Sequence, residues 1–567
     1  MSELPWLAHY DPGVPHSLEP YPARTLLDYV NDTARERPEH AAFLFKGRPF
    51  SVAELQRTSD AFAAALASLG VKRGDRVAAM LPNCPQFFIA ELGAWKLGAI
   101  FAPLNPIYTE EELAGPLGTI DAEVVVTLTS FYQRLKKVQA HTPVKRIVTT
   151  NIKEYFPALL RLVFTLFAER KGGHRITRRD GDLGLSELLD QFDGQRSSEK
   201  PPAPGDTAIL LMSGGTTGAP KCVMGEHQAL VMSGLQIRAW LGPAVEPWTS
   251  VYMMPLPMFH SYGACAVQGS TFIGHNPIAL VPNPRDLNDV VKTIASVKPT
   301  AFAGVPTLYN ALLNHPHVKS HKVSFHSLKV CASGAAPLMA ETKRRFEEVS
   351  GARILEGYGL TESLIAACVN PVKGPSKEGS IGMPLPDVVV KIVDADDPAK
   401  EMPIKEVGEM LLRGPQIMKG YWRNPEGTAE MVWADAAGIR WLRTGDLAYS
   451  DEDGYLFIVD RKKDLIKANG MQVWPRELEE AIATHPAVAE VGVRGFPDPA
   501  HGEIAVAFVV LRPGMKATEA DIREYCKKHL AFYKVPAKVL FRKELPKSLV
   551  GKVLRRMLTL EEKPAPA

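Results

Sequence analysis

Apolar residues along this chain alternate between short continuous runs and longer amphipathic stretches. The runs at 77–81, 124–128 and 208–212 are almost wholly apolar, which is typical of buried strands. Residues 57–70 carry apolar side chains at helical spacing and end on a glycine, so this stretch predicts a helix. The alternation continues from about residue 26 to residue 446 and predicts a layered α/β fold for this part of the chain.

The pattern changes at 460–464, where five consecutive residues are charged. Such a run is usually a solvated turn, but a new set of elements follows it here. Pro475 predicts a helix start, 488–493 and 504–511 predict strands, and Thr518 predicts the start of another helix. About 100 residues of this kind after a charged joint indicate a small α+β domain on a hinge. We predict a large domain over 1–460, a hinge over 461–464, a small mobile domain over 465–562 and a disordered tail over 563–567.

The composition limits the classes of partner and compartment. The chain has 567 residues, of which 66 are Lys or Arg and 63 are Asp or Glu, so its net charge of +3 gives no reason to expect a nucleic acid partner. Its six cysteines are scattered, without the spacing of a zinc site or a redox pair. The first residues have neither the basic nor the apolar region of a signal peptide. We therefore expect free thiols and a cytoplasmic location.

One segment, 155–167, is strongly apolar but too short to span a membrane, and Arg161 interrupts it. Two interpretations remain open. A helix here could pack against its own protein, which is the commoner outcome. It could also lie on the anionic inner face of a membrane as a peripheral contact, because a basic cluster follows it. The residues of this cluster are Arg170, Lys171, Arg175, Arg178 and Arg179.

A loop rich in glycine and hydroxyl residues follows the run at 208–212 and carries the first candidate chemistry. Glycines let backbone N–H groups converge on an anion, while hydroxyls add donors and a lysine adds positive charge. The loop is not a Walker A motif, because no Gly-Lys-Ser/Thr opens a helix after it. A flexible turn is the alternative interpretation. The candidate nucleotide-binding residues here are Ser213, Gly214, Gly215, Thr216, Thr217, Gly218 and Lys221.

This loop, Ser-Gly-Gly-Thr-Thr-Gly-Ala-Pro-Lys, resembles the phosphate-binding motif of the adenylate-forming superfamily, which contains acyl-CoA synthetases, luciferases and peptide-synthetase adenylation domains. The Gly-Gly form resembles that of bacterial long-chain fatty-acid–CoA ligases, whereas Cys222 replaces a glycine of the family pattern. Five further segments resemble family motifs and keep their order: 255–263, 304–309, 333–338, 356–362 and 444–446. The resemblance implies a large α/β adenylate-forming domain and a small α+β lid domain.

The resemblance also implies roles for particular residues. Tyr358 would stack on adenine, Asp446 would accept hydrogen bonds from the ribose, and Arg461 would contact ATP. Glu362 and Ser213 would provide oxygen ligands to Mg²⁺. Further ATP- or AMP-binding positions would be Gly334, Ala335, Ala336, Glu356, Gly357, Gly359, Thr361 and Lys467. The acyl site would include His260, Tyr262 and Gly304, although His260 could equally be an ordinary buried histidine.

In the C-terminal part, the stretch 545–556 resembles the loop that carries the catalytic lysine, and the matching residue is Lys552 rather than Lys547. Lys552 would bridge the substrate carboxylate and the α-phosphate of ATP while an acyl-adenylate forms. Lys463 matches the hinge position, and Gly470 matches the glycine beside the CoA pantetheine. The resemblance thus implies two half-reactions, with ATP and CoA as co-substrates.

A fatty acid is the substrate that the sequence favours, because of the Gly-Gly loop, the stretch 105–109 and the apolar segment at 155–167. An aryl, short-chain or other carboxylic acid is the first alternative, and a ligase that loads fatty acyl groups onto a carrier protein is the second. A catalytically silent nucleotide- or lipid-binding protein would have lost Lys552, Asp446, Glu362 or Arg461, but all four are present. A membrane-associated scaffold remains a further hypothesis.

Overall fold

The computed structural model describes residues 4–213, 221–468, 471–499, 501–548 and 551–561. Its helices are α1 Leu26–Glu36, α2 Val52–Ser68, α3 Pro85–Lys96, α4 Glu110–Ile120, α5 Tyr132–Val138, α6 Ala158–Val163, α7 Leu185–Gln191, α8 His227–Leu241, α9 Gln268–Ile273, α10 Leu287–Val297, α11 Pro306–Asn314, α12 Pro316–Lys319, α13 Ala340–Ser350, α14 Pro425–Met431, α15 Pro475–Ala483 and α16 Glu519–His529. Its strands are β1 Ala41–Phe45, β2 Arg48–Ser51, β3 Arg76–Met80, β4 Ile100–Pro103, β5 Val124–Leu128, β6 Arg146–Thr150, β7 Leu183–Gly184, β8 Thr207–Ser213, β9 Lys221–Glu226, β10 Tyr252–Met254, β11 Ile278–Leu280, β12 Ala301–Gly304, β13 Val330–Ser333, β14 Arg353–Leu360, β15 Ile365–Val369, β16 Met383–Pro384, β17 Val389–Val393, β18 Gly408–Arg413, β19 Gly420–Tyr421, β20 Val432–Ala434, β21 Arg440–Ser450, β22 Leu456–Arg461, β23 Ile466–Ala468, β24 Met471–Val473, β25 Val488–Asp498, β26 Gly502–Leu511 and β27 Lys538–Phe541.

Two large sheets with parallel centres form most of the fold. One has the strand order β16-β15-β14-β13-β12-β10-β11-β1-β2, and the other has the order β19-β9-β8-β4-β3-β5-β6-β7. Helices α2, α3, α8 and α9 contribute to one continuous apolar core with strands of both sheets. The buried runs predicted from the sequence are strands β3, β5 and β8. The prediction of a layered α/β fold is confirmed.

The predicted helix at 57–70 is α2, which begins five residues earlier, at Val52. The side chain of Ser51 accepts a hydrogen bond from the backbone N–H of Glu54 and so caps the helix at this point. Val52 and Leu55 continue its buried face at helical spacing, but the polar run at 56–60 separates them from the apolar positions at 61–66 and hid this start. The end of the helix, at Ser68, agrees with the predicted stop at the glycine.

A smaller mixed structure follows the two sheets. Strands β17, β18, β21 and β20 form a third sheet with β22 beside β21, and β24, β23, β26 and β25 form a fourth with β27 beside β26. Helices α15 and α16 begin at the predicted places: Pro475 is the first residue of α15, and Thr518 and Asp521 form a capping box on α16. The predicted strands are β25 and β26. The domain boundaries themselves remain a prediction.

Among the described residues, no helix combines the length and apolarity needed to cross a membrane.

Glu91 is a fully buried carboxyl in α3, and its proton affinity depends on the fold. Its Oε2 atom accepts a hydrogen bond of 2.5 Å from the side-chain amide of Gln268 in α9. Burial raises the pKa of Glu91 from 4.5 to about 8. Between these two pH values the unfolded chain has lost this proton while the folded chain keeps it. This residue therefore lowers the free energy of unfolding as the pH rises through that range.

The substitution Glu91→Gln keeps the shape and stays neutral, so we expect it to raise the unfolding temperature more at pH 8 than at pH 5. The stabilisation should grow by about 1.4 kcal/mol for each pH unit within this range. Thermal unfolding at pH 5, 6.5 and 8 measures this change in stability. The control is Glu348→Gln, at an exposed glutamate that pairs with Arg344. An equal shift at all three pH values would contradict a protonated buried carboxyl.

Candidate active site

The candidate site lies at the carboxyl ends of parallel strands in the nine-stranded sheet. Ser333 ends β13 and pairs in register with Gly304, the last residue of β12. The 356–362 motif runs through the end of β14 into the turn that follows it. Because parallel strands end on the same edge of a sheet, three of the motifs found in the sequence lie side by side.

An apolar cavity of about 940 Å³, including the part that opens to solvent, adjoins this edge. Strands of the sheet form its floor, while α8 and the π-helical segment Tyr262–Val267, which leads into α9, form its roof. The predicted site residues that line the cavity are His260, Tyr262, Gly334, Ala335, Gly357, Tyr358 and Gly359. The structure thus brings predicted acyl-site and nucleotide-site residues to one cavity.

Gly304 has a different environment from the one expected. The wall beside it is formed by Ala301, Phe302 and Ala303. A Cβ atom at Gly304 would lie 2.8 Å from the ring of Tyr309 and 2.9 Å from that of Phe302. The glycine therefore makes room for two aromatic rings, and its contact with an acyl group remains a prediction.

His260 is neutral in this environment. Burial lowers its pKa to about 4, and its Nδ1 atom faces the backbone N–H of Tyr262 at 3.3 Å. His260 can therefore shape the cavity and offer a hydrogen bond, but it does not supply a positive charge for a carboxylate at neutral pH.

The 333–336 loop combines strain with an unused donor. Ala335 lines the cavity and has φ of +68°, which is unusual for a residue with a side chain, and Ala336 follows it. The buried hydroxyl of Ser333, which also lines the cavity, has no hydrogen-bond partner among the described residues. Strained backbone and an unpaired polar atom are both typical of sites that await a ligand.

Asp446 is the centre of a buried charged cluster. Its Oδ2 atom accepts a hydrogen bond of 2.5 Å from the hydroxyl of Tyr358, and its Oδ1 atom lies 2.8 Å from Nε of Arg461. The backbone N–H of Asp446 donates to the hydroxyl of Thr444. The structure thus brings together the three residues for which the sequence predicted adenine, ribose and ATP contacts. The tyrosine hydroxyl is tied to the carboxylate, which fixes the position of its ring beside the cavity.

Glu362 and Lys221, which are predicted to face magnesium and the phosphates of ATP, lie on either side of Tyr421. Glu362 is buried, and its Oε1 atom accepts a hydrogen bond of 2.8 Å from the hydroxyl of Tyr421. The amino group of Lys221 lies 4.9 Å from the ring centre of the same tyrosine and 3.4 Å from Glu430. Ser213 is buried and pairs with Lys221 across β8 and β9. The remaining loop residues, Gly214, Gly215, Thr216, Thr217 and Gly218, lie outside the described part of the chain.

Within the described ranges, no group of three or more His, Cys, Asp and Glu side chains is arranged to hold a metal ion. Mg²⁺ usually keeps several waters and takes one or two protein oxygens together with phosphate. The buried carboxylate of Glu362 fits that requirement.

Lys552 lies at the same site, although it belongs to the small C-terminal unit. Its backbone N–H donates to the hydroxyl of Ser548, and its carbonyl accepts from the N–H of Ser548, which closes a tight loop. Its side chain is exposed, and its amino group lies within electrostatic reach of Arg461 and Asp446. Desolvation and the nearby charge of Arg461 lower its pKa to about 8, against the opposing effect of Asp446. Lys547 points elsewhere and pairs with Glu490 at 2.5 Å.

The other predicted positions are placed as follows. Glu356 pairs with Lys343 at 3.2 Å, and burial raises its pKa. The hydroxyl of Thr361 lies 3.5 Å from that of Ser261. Lys463 and Lys467 are exposed. Gly470 lies outside the described residues, so its predicted contact with CoA has no geometry here.

The sequence did not reveal the importance of Arg555. Its guanidinium lies 2.7 Å from Asp460, 3.2 Å from Asp464 and 2.6 Å from Glu479. Asp460 precedes the predicted hinge, whereas Glu479 lies in α15, so Arg555 connects the lysine loop to both sides of the hinge. These partners are 76 to 95 residues away in the chain. Only the basic character of 552–556 was visible in the sequence.

Comparison with known proteins agrees with this geometry. Residues 30–422 match the family model described as AMP-binding enzyme, and residues 477–552 match the AMP-binding enzyme C-terminal domain. A long-chain-fatty-acid–CoA ligase from Bacillus subtilis is 38% identical over 99% of this chain and 98% of its own length. One from Escherichia coli O6:H1 is 36% identical over 98% of this chain and 97% of its own length.

Solved structures show the same architecture. ATP-bound MatB from Rhodopseudomonas palustris has a TM-score of 0.78 and 28% identity, covering 93% of this chain and 97% of that chain. The anthranilate CoA ligase AuaEII in complex with anthranoyl-AMP has a TM-score of 0.81 and 25% identity, covering 94% and 96%. The chain therefore belongs to the AMP-binding enzyme family, which confirms the prediction of an adenylate-forming enzyme made from its motifs.

Proposed function

We propose that this protein activates a fatty acid with ATP to an acyl-adenylate, releases pyrophosphate, and then transfers the acyl group to CoA with release of AMP. The observation that carries this proposal is an apolar cavity that opens beside Asp446, Tyr358 and Lys552. A cavity with so little polar surface suits an alkyl chain. The full-length relatives named long-chain-fatty-acid–CoA ligase support the same substrate class.

In the first half-reaction, a carboxylate must approach the α-phosphate of ATP against the repulsion of like charges. The cation of Lys552 lies near the ribose site and would hold both anions in line. Asp446 would accept the ribose hydroxyls, and Lys221 would face the leaving pyrophosphate. Glu362 and Ser213 would hold Mg²⁺, which supplies neutralising charge on the phosphate oxygens.

In the second half-reaction, the thiol of CoA must reach the acyl-adenylate in a space that Lys552 occupies here. We propose that the small domain, over 465–562, rotates at Lys463 within the hinge at 461–464 and brings Gly470 to the site. Lys463 precedes β23 of the small sheet, and an exposed lysine at a hinge moves between two solvated positions at low cost. One site would then serve two reactions by domain movement.

The alternatives differ in substrate or in final acceptor. An aryl acid would need a flat cavity, and a carrier protein would replace CoA as the acceptor of the acyl group. A catalytically silent protein is disfavoured because Lys552, Asp446, Glu362 and Arg461 are all present, three of them in one charged cluster with Tyr358.

The direct test is pyrophosphate release across acetate, medium-chain, long-chain and aryl acids, each with and without CoA, with products identified by mass. We expect a maximum among aliphatic acids, with acyl-CoA formed only when CoA is present. Pyrophosphate release without acyl-CoA would indicate a carrier-loading ligase. A maximum with aryl acids would contradict the fatty-acid assignment, and silence with every acid would favour the nucleotide- or lipid-binding protein.

The pKa of Lys552 predicts the pH dependence of the first half-reaction. Because this pKa is lowered to about 8, the required cation is lost as the pH rises through that value. We expect kcat/KM for acid-dependent ATP–pyrophosphate exchange, measured without CoA, to fall about tenfold per pH unit above this limb. In the variant Lys552→Arg the guanidinium stays charged, so its residual kcat/KM should not fall over this pH range. The same fall in both proteins would mean that a group other than Lys552 loses its proton.

We also propose that this protein is cytoplasmic and binds peripherally to the inner face of a membrane through an apolar face that begins in α6. This face consists of Leu159, Leu162, Val163, Leu166 and Phe167. These residues recur at the spacing of one helical side, and all are exposed, Phe167 to 76% and Leu159 to 75%. Exposed basic residues surround it: Arg161, Arg170, Lys171, Arg175 and Arg179. An exposed apolar face with a basic border suits an anionic lipid surface.

Co-sedimentation tests this contact with vesicles of zwitterionic lipid alone and of mixed zwitterionic and anionic lipid. We expect binding to the anionic vesicles that weakens with salt and is lost in the variant Leu162→Ser/Phe167→Ser. Phe532→Ser is the matched control, because Phe532 is exposed to 82% on the small unit. Equal binding of both variants would contradict the proposed surface.

A further inference from the structure

The acyl cavity follows one face of the nine-stranded sheet from one strand end to the other. Alternate residues of β12 and β13 form its floor, so Ala301 and Ala303 lie beside Val330 and Ala332. Side chains that alternate along a strand point to the same face. Three of these four residues are alanine, and their small side chains leave the space that the cavity occupies.

The two ends of the cavity differ. The end at the carboxyl edge of the strands carries Ser333, Gly334 and Tyr358, where the chemistry takes place. The other end lies at the start of β10, because Tyr252 pairs in register with Ala301, which in turn pairs with Val330. All three residues of this row line the cavity. Tyr252 therefore stands where the far end of a bound acyl chain would arrive.

The hydroxyl of Tyr252 is buried without a hydrogen-bond partner among the described residues. The residue as a whole is only 4% exposed. Its nearest polar neighbour is the hydroxyl of Ser270, which lines the cavity too and is placed for only a weak hydrogen bond, and it lies within electrostatic reach of Arg238. Ser270 donates its own proton to the carbonyl of Val267 at 3.1 Å. Burial raises the pKa of Tyr252 to about 12, so the phenol keeps its proton and offers a donor.

A chain that ends in a methyl group would leave this donor with only the weak contact to Ser270 in an apolar space, which is unfavourable. An oxygen on the ligand would pair with it, and the Ser270 oxygen could accept a proton in return. Among the described residues that line the cavity there is no Lys or Arg, and His260 is neutral. The nearest cation, Arg238, does not line the cavity, so a second carboxylate would lose its water without gaining a direct ion pair.

We infer that the acyl site accepts chains whose far end carries an uncharged oxygen, above all a terminal hydroxyl, and that Tyr252 is the residue that selects it. This inference rests on the proposed function and specifies its substrate class. It also predicts that the preference depends on the length of the acyl chain, because only chains that reach from the catalytic end to β10 place their oxygen at Tyr252.

The test compares kcat/KM for pyrophosphate release between unsubstituted, ω-hydroxy and α,ω-dicarboxylic acids from eight to sixteen carbons. At one chain length we expect the ω-hydroxy acid to exceed the unsubstituted acid by roughly three- to tenfold, the factor for one or two neutral hydrogen bonds. The variant Tyr252→Phe should abolish this advantage, so that the ω-hydroxy acid no longer exceeds the unsubstituted acid of the same length. Tyr29→Phe, at a buried tyrosine outside the cavity, should change neither.

Each outcome decides a separate question. Turnover of unsubstituted acids without any ω-hydroxy advantage would overturn the inference and leave the proposed function intact, whereas silence with every acid would remove both. A best substrate among the dicarboxylic acids would overturn the assignment of an uncharged oxygen. The unfolding temperature gives an independent readout: a fall in Tyr252→Phe would show that the hydroxyl serves a structural water, while an unchanged or higher value fits a donor kept for the ligand.

Discussion

Replacement of Lys552 by alanine is expected to slow acyl-adenylate formation by roughly 10²–10³-fold, the usual effect of losing a preorganised charged or hydrogen-bonding group at a reacting centre. The amino group of Lys552 lies near Asp446 and Arg461, in a cleft that desolvates it. Its charge therefore acts on the reacting anions with little screening by water. Thioester formation from supplied acyl-AMP should stay close to the wild-type rate, because the adenylate has already formed.

The two half-reactions are measured separately, as ATP–pyrophosphate exchange and as AMP release from acyl-AMP with CoA. Lys547→Ala is the matched control, since this lysine lies in the same loop but pairs with Glu490 away from the site. It should leave exchange within a fewfold of wild type. Equal loss of both half-reactions in a folded Lys552→Ala protein would refute the assigned role.

The sequence predicted this site well where the chemistry depends on short segments. A motif such as 356–362 carries its own turn, so Tyr358 and Glu362 can be located without knowledge of the rest of the fold. The alternation of strands and helices then implied that several motifs meet at one sheet edge. The structure adds the contacts between motifs, such as the hydrogen bond from Tyr358 to Asp446 across 88 residues of chain.

The sequence could not predict features that depend on pairing over long distances. Tyr252 belongs to an apolar run, and only its register with Ala301 shows that it faces the cavity. The carboxylates around Arg555 come from two separate segments, the charged run at 460–464 and α15. The structure adds that the missing side chain of Gly304 makes room for the rings of Tyr309 and Phe302, while its predicted contact with an acyl group stays a prediction. These positions depend on packing, which local patterns do not specify.

Gly551→Ala is expected to impair adenylate formation by about 10²-fold while sparing the thioester step. Gly551 precedes the catalytic lysine and has φ of +75°, and a Cβ atom there would lie 2.3 Å from Oγ1 of Thr307 in α11. Thr307 belongs to the large unit and is β-branched, so it has few rotamers by which to move away. The lysine loop must shift instead, and a displacement of ~1 Å at a reacting group can cost about 10²-fold in rate.

Two further variants separate the effect of the steric contact with Thr307 from the effect of backbone strain at a positive φ. Gly514 has φ of +79° with nothing within 4 Å of its Cβ position, so Gly514→Ala carries a similar backbone cost without the clash and should keep near-normal exchange. Adding Thr307→Ala to Gly551→Ala removes Oγ1 and Cγ2 from the contact and should restore exchange at least tenfold relative to the single variant. If the double variant recovers nothing, the defect lies in the loop conformation and the close approach of Gly551 to Thr307 is not what positions Lys552. Recovery would show that adenylate formation requires the small unit to dock against α11 in the arrangement seen here.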